Sequence, residues 1–184
     1  MIARRDGIGA LTMRRLCTEL GVTAPAVYRH FPAKELIEDQ VIDDVIRRID
    51  LPSPEAGDWV ERLRRCFISA HDIVGCYGGL AARMGREMPR SPSAQRNAVY
   101  LRELLADAGL GEEDAVKVVV AVFVYVWGHL LAAEAADSIS LTSPLGAASS
   151  ARGQFLWGLD HMLSSIRREF DGREPRPTPG PSSA

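Results

Sequence analysis

Apolar residues recur along this chain at helical spacing, and no stretch alternates apolar and polar positions as a half-buried strand would. In residues 11–31, LTMRRLCTELGVTAPAVYRHF, Met13, Leu16, Cys17 and Leu20 fall at i, i+3, i+4 and i+7 and predict one buried face of a short helix. Arg14 and Arg15 lie off that face and reach outward. Gly21 ends the helix, since a residue without Cβ enters the left-handed region freely. Thr23 then stands where an N-cap accepts an orphan amide hydrogen bond, and Pro25 falls in the first turn of a second helix, where a missing N–H does little harm. Val27 and Phe31, four apart, anchor that helix to the first. Ala24 with Tyr28, and Pro25 with Arg29, share its outer side. Small residues followed by Tyr, Arg and His suit close approach to a nucleic acid better than burial. The pattern predicts a helix-turn-helix whose second helix enters the major groove.

Further helices are predicted downstream. Residues 35–49 carry Ile37, Val41, Val45 and Ile49 on one stripe, and Pro52 and Pro54 break the chain after it. Residues 59–74, with Val60, Leu63, Phe67 and Val74, form the next helix. Residues 80–88 follow, stopped by Pro89, then 93–108, ended by Gly109. The two longest helices are 112–136 and 147–170. The fold class is all-α, with a helix-turn-helix domain and connecting helix over 1–49 and a larger helical domain over 50–170. Residues 171–184, DGREPRPTPGPSSA, contain four prolines and almost no hydrophobes, and are expected to be disordered.

The run AVKVVVAVFVYVWGHLLAA over 115–133 approaches the roughly 20 apolar residues that span a bilayer. Lys117 and His129 interrupt it and no basic cluster flanks it, so we read a helix buried in a core and a dimer seam, with no membrane partner. The final helix carries an apolar stripe of Phe155, Leu159, Met162, Leu163 and Ile166, widened by Leu156 and Trp157. That is more surface than one chain of this size covers. Pairing with 112–136, through Val119, Phe123 and Trp127, and with the symmetry mates of both helices predicts a four-helix seam in a homodimer. A dimer presents two recognition helices about 34–36 Å apart, or a multiple, to a palindrome.

Charge changes the picture only locally. The formal net charge is −2, but residues 1–34 carry six basic and two acidic side chains, +4, leaving −6 on the rest. Such asymmetry points to a polyanion-binding end. Phe67, His71, Met84, Met88 and Tyr100, on the helices between 59 and 108, are candidates to line a small-molecule pocket, where apolar walls surround a few polar groups. No G-x-S-x-G elbow, P-loop or G-x-G-x-x-G is present, and no histidine has a metal-ligating partner three or four residues away on its helix. Neither enzyme activity nor a cofactor or metal is expected. Cys17, Cys66 and Cys76 lack C-x-x-C spacing and read as reduced thiols of a cytoplasmic protein without a signal peptide.

Over residues 11–37 the chain resembles the TetR family of bacterial transcriptional repressors, through LT-x-R-x-L, LGV and P-x-x-YRHF-x-x-K at uninterrupted spacing. FLWGLDHML near Phe155 looks like the family's closing helix. The resemblance implies an all-helical homodimer with a small DNA-binding domain and a larger domain that dimerises and binds an inducer. It implies that Thr12 offers its hydroxyl and helix N-terminus to a phosphate, and that Arg14 reaches a base edge, that of guanine, by a bidentate fork. Ala24, Pro25 and Ala26 would lie on the groove floor. Tyr28, His30 and Lys34 would contact phosphates, and Arg29 either phosphate or base. The implied function is a repressor released from a palindromic operator by a small-molecule inducer of unknown identity. The alternative is a relative impaired in DNA binding that binds ligand or heterodimerises. MIARRDGIGA, ahead of Leu11, has room for the last turn of the family's first helix, with residues 7–9 as its exit.

Overall fold

The structure, a computed structural model, describes residues 2–86, 90–136 and 150–171. Among them are nine α-helices and no strand: α1 (Ile2–Asp6), α2 (Met13–Leu20), α3 (Ala24–His30), α4 (Lys34–Arg47), α5 (Trp59–Gly75), α6 (Leu80–Arg86), α7 (Pro92–Asp107), α8 (Glu112–Ala136) and α9 (Ala151–Asp171). The helix starts follow local chemistry. Asp58 caps α5 by accepting from the Glu61 amide at 3.0 Å, and Ser91 caps α7 by accepting from Ala94 at 3.3 Å. Pro92 takes the first helical position of α7, one residue ahead of the predicted start, where no N–H is needed. The predicted ends at 87–88, the start at 147–149 and the tail 172–184 lie outside the described residues.

The core forms around α8, which packs against α5, α6, α7 and α9. Val122 and Val126 of α8 are fully buried, as are Leu63 and Val74 of α5, Leu105 of α7, and Phe155 and Leu159 of α9. By length and composition α8 is apolar enough to cross a membrane. Here Tyr125, Trp127, His129 and Glu134 are tied to neighbouring helices. The Glu134 carboxylate accepts from the Ala81 and Ala82 amides at 3.1 and 3.3 Å, satisfying the first turn of α6. Tyr125 donates to Phe155 O at 2.9 Å. A Cβ at Gly158 would collide with the Tyr125 hydroxyl, so glycine admits this approach of α8 to α9. Arg64 of α5 grips Asp160 of α9 at 2.6 and 3.3 Å.

Helix α4 connects the two ends of the molecule. Ile37, Val41, Ile42, Val45 and Ile46 are buried, a broader face than the predicted stripe, while Ile49 is half-buried. Arg83 of α6 reaches Glu38 at 3.4 Å. Asp43 accepts from the Ser93 amide at 3.0 Å, and Arg96 donates to Arg47 O at 3.0 Å, so the start of α7 is pinned to the last turns of α4. The N-terminal segment docks on the bend after α5. The Ile8 amide donates to Gly78 O at 2.9 Å, and Gly7 (φ +84°) sits where a Cβ would meet that same oxygen.

Candidate nucleic-acid interface and ligand cavity

Helices α2 and α3 form the predicted hairpin, joined by Gly21 at φ +65°. Its burial differs from expectation. Met13, Leu16 and Cys17 are only half-buried, and Leu20 is 61% exposed. The five-residue α1 reaches α2 mainly through charge, with Asp6 pairing with Arg15 and Arg5 with Glu19, and leaves the last turn of α2 uncovered. Arg15 is therefore half-buried and paired rather than reaching outward. Thr23 holds the extended backbone of an N-cap without a side-chain cap bond. Pro25 has removed one amide that it could accept, and the Ala26 amide donates to the Thr23 carbonyl instead, at 3.0 Å. Thr12 does cap, accepting from the Arg15 amide at 3.2 Å, which leaves its hydroxyl proton to donate.

The outer surface collects most of the proposed contact residues. Arg14, Ala24, Pro25, Tyr28, Arg29 and His30 are exposed. Arg14, Ala24 and Tyr28 border one shallow groove between α2 and α3, of about 460 Å³, together with Thr18, which sequence reasoning passed over. Among the described residues neither Arg14 nor Arg29 is ion-paired. Ala26 is half-buried and turned partly from this surface. Lys34 is half-buried and held by Glu38 at 2.8 Å, so a phosphate must compete for its ammonium.

A second space, a cavity of about 350 Å³, lies between α4, α5, α6, α7 and α8. Phe67 and Met84 line it as expected from sequence. His71 and Tyr100 do not. The Tyr100 hydroxyl donates to Pro52 O at 2.7 Å while Arg62 covers its ring, and Met88 lies outside the described residues. Val119, Phe123 and Trp127, assigned from sequence to a dimer seam, line the cavity instead. The Phe123 and Trp127 rings stack at 4.5 Å, and Trp127 Nε1 donates to Ala81 O at 3.2 Å. The sequence pattern gave α8 as apolar all round, which leaves its rotation undetermined. Phe155, Leu159 and Leu163 are likewise buried within the protomer rather than at a seam, because α9 turns them onto α5 and α8. Met162 and Ile166 are half-buried. Ala94, Asn97, Ala98 and Leu101 of α7 complete a wall that sequence reasoning missed, although a small-residue face at i and i+4 was the available signal. Cys66 also lines the cavity, and burial pushes its thiol up to about 12, so it stays protonated.

His71 finds its partners across helices. Its Nε2 lies 3.1 Å from His129 Nδ1, and its ring stacks on Phe155 at 3.9 Å. His129 Nε2 donates to Ala151 O at 3.0 Å. Burial lowers the His71 pKa despite the nearby Asp72. Burial alone would raise the Asp72 carboxyl, but Arg152 and His71 hold it below its ordinary value. Among the described residues no three His, Cys, Asp or Glu gather as a metal site.

Residues 1–38 match the family model described as bacterial regulatory proteins, tetR family, and residues 51–144, half of the chain, match the tetracyclin repressor-like C-terminal domain. The chain belongs to the TetR family. An HTH-type transcriptional regulator of Saccharopolyspora erythraea is 27% identical over 70% of this chain and 54% of its own length. The tetracycline repressor protein class C of Escherichia coli is 28% identical over 72% of this chain and 61% of its own length. The chain thus spans about three-fifths or less of these two curated relatives. Among solved structures, the TetR family protein ActR of Streptomyces coelicolor, in complex with actinorhodin, superposes with TM-score 0.76 at 22% identity, covering 94% of this chain and 93% of ActR. TetR from Acinetobacter baumannii gives TM-score 0.72 at 24% identity, covering 91% and 92%. These likenesses place the all-helical TetR-family fold on firm ground.

Proposed function

We propose that this TetR-family regulator acts as a homodimer that occupies an inverted-repeat operator and leaves it when a small molecule fills the cavity. The observation that carries the reading is the double placement of α4. Its first turn follows the exposed recognition helix α3, and Ile46 near its end walls the cavity, with Ile49 just beyond it. A ligand that alters the packing of Ile46 biases the placement of α3, and release requires tighter binding to the DNA-incompetent conformation.

Pairing of two copies is supported by a face of α8 that remains exposed and apolar in the protomer. Val116, Val120, Val124 and Leu131 share it, 39–62% exposed, and Trp157 of α9 is exposed as well (66%). The test is selection of DNA from a random pool by the intact protein. Enrichment of an inverted repeat with half-sites one or more helical turns apart supports the reading. Recovery of no common sequence opposes it.

A second reading, a relative impaired in DNA binding, draws on the exposure of Leu20 (61%) and Val22 (42%), which leaves the hairpin thinly supported. Ligand binding without any selected DNA sequence would favour it.

A further inference from the structure

The chemistry of the cavity limits what can fill it. Its two charged lining residues, Arg102 of α7 and Glu112 at the start of α8, are exposed and stand at the rim. Inside, every polar group is neutral or committed. The Cys66 thiol keeps its proton. Trp127 Nε1 is spent on Ala81 O. The Asn97 carbonyl accepts from Arg96 at 3.2 and 3.3 Å, while its amide leans on Ile46 O at 3.5 Å. A charge placed among Phe67, Met84 and Phe123 would lose its hydration and gain no counter-ion. Volume sets a second limit, since about 350 Å³ lies near the small end of the roughly 300–1,000 Å³ typical of ligand sites.

At the rim, among the described residues, the Arg102 guanidinium has neither ion pair nor hydrogen bond. Its donors are available to an oxygen on whatever enters. From these observations we infer that the cavity takes a small, ring-bearing molecule with an uncharged apolar body and one hydrogen-bond-accepting oxygen at one end, the body lying among Phe67, Phe123 and Trp127 and the oxygen at Arg102. Flat rings suit walls built from stacked aromatic side chains. This assignment deepens the ligand-responsive reading and rests on it only for its regulatory meaning.

Calorimetric titration of the full chain with three probes tests it: 2-acetonaphthone, naphthalene, and 1,5-naphthalenedisulfonate. The ketone binds, naphthalene binds about fivefold more weakly, and the disulfonate gives no heat, because one sulfonate would have to enter the apolar interior. Arg102→Ala brings the ketone to the affinity of naphthalene. Ala98→Trp and Val119→Trp, which fill the cavity from different helices, each weaken the ketone at least tenfold with helical circular dichroism unchanged. Disulfonate binding as tight as the ketone's, no binding by either neutral probe, or ketone binding unaffected by a filling variant that folds overturns the inference. Ketone binding that obeys every expectation yet leaves affinity for the selected DNA unchanged upholds the ligand class and contradicts the effector reading instead.

Discussion

Arg14 and Tyr28 border the same groove but offer a nucleic acid different chemistry. A guanidinium fork discriminates base edges, whereas a phenol on a recognition helix mostly fixes position through phosphates. Arg14→Ala is therefore expected to weaken binding and relax preference at one base position per half-site, by about 1–3 kcal/mol there. Tyr28→Ala is expected to weaken all sequences alike. Competition assays with single-base operator variants check both, and an unaltered preference in Arg14→Ala refutes its base contact. Gly158 belongs to the same scale. Gly158→Ala drives a methyl group into the Tyr125 hydroxyl and is expected to lower stability by about 1–3 kcal/mol in denaturant melts. Single residues were the least legible part of the sequence. Thr23 had the right type for a cap, yet Pro25 and Ala26 disposed of the amides it needed. His71 and His129 lie 58 positions apart and meet only through packing of α5 on α8, which helix-face spacing does not report.

Helices, by contrast, were readable almost to the residue, because proline, glycine and capping side chains act locally. The 112–136 helix was bounded as observed, since acidic residues open it and no proline breaks the largely apolar run that follows. Its rotation was not readable, for a helix apolar on every side carries no phase. Val119, Phe123 and Trp127 went to the cavity, Val116 and Val120 line its exposed edge, and Val124 took the outer face. The junction of α5, α8 and α9 carries an expectation about pH. Around His71 stand Asp72 from its own helix, His129 from α8, and Arg152 and Phe155 from α9. The folded-state pKa of His71 lies below its ordinary 6.5, mainly through burial. Stability is then fully present above about pH 6.5 and is lost as pH falls through the folded value. Thermal melts are expected to show Tm falling between pH 7 and pH 5, with a shallower fall in His71→Asn. Equal slopes in the two proteins would contradict this assignment.

On the scale of the molecule, the sequence conveyed the fold class and the helical hairpin near the first residues, through helical periodicity and turn chemistry. It assigned to a seam between copies several residues that the protomer itself buries, Trp127, Phe155, Leu159 and Leu163, because buried and interfacial apolar residues look alike until the protomer is packed. The exposed strip on α8 makes the pairing testable. Val124→Asp is expected to weaken self-association by about 2 kcal/mol or more while leaving the protomer folded, since Val124 is 62% exposed there. Sedimentation equilibrium reads the outcome, and an unchanged dimer would place the seam elsewhere. The central claim is that two copies of the cationic hairpin grip one operator together. Its most direct measurement is the affinity of the intact protein for the selected inverted repeat across a series of salt concentrations. With Arg29 and Lys34 engaged on phosphates in each of two copies, log K is predicted to fall against log salt with a slope of about −4, and one dimer to bind per repeat. A slope near zero, or equal affinity for a single half-site, would contradict the account.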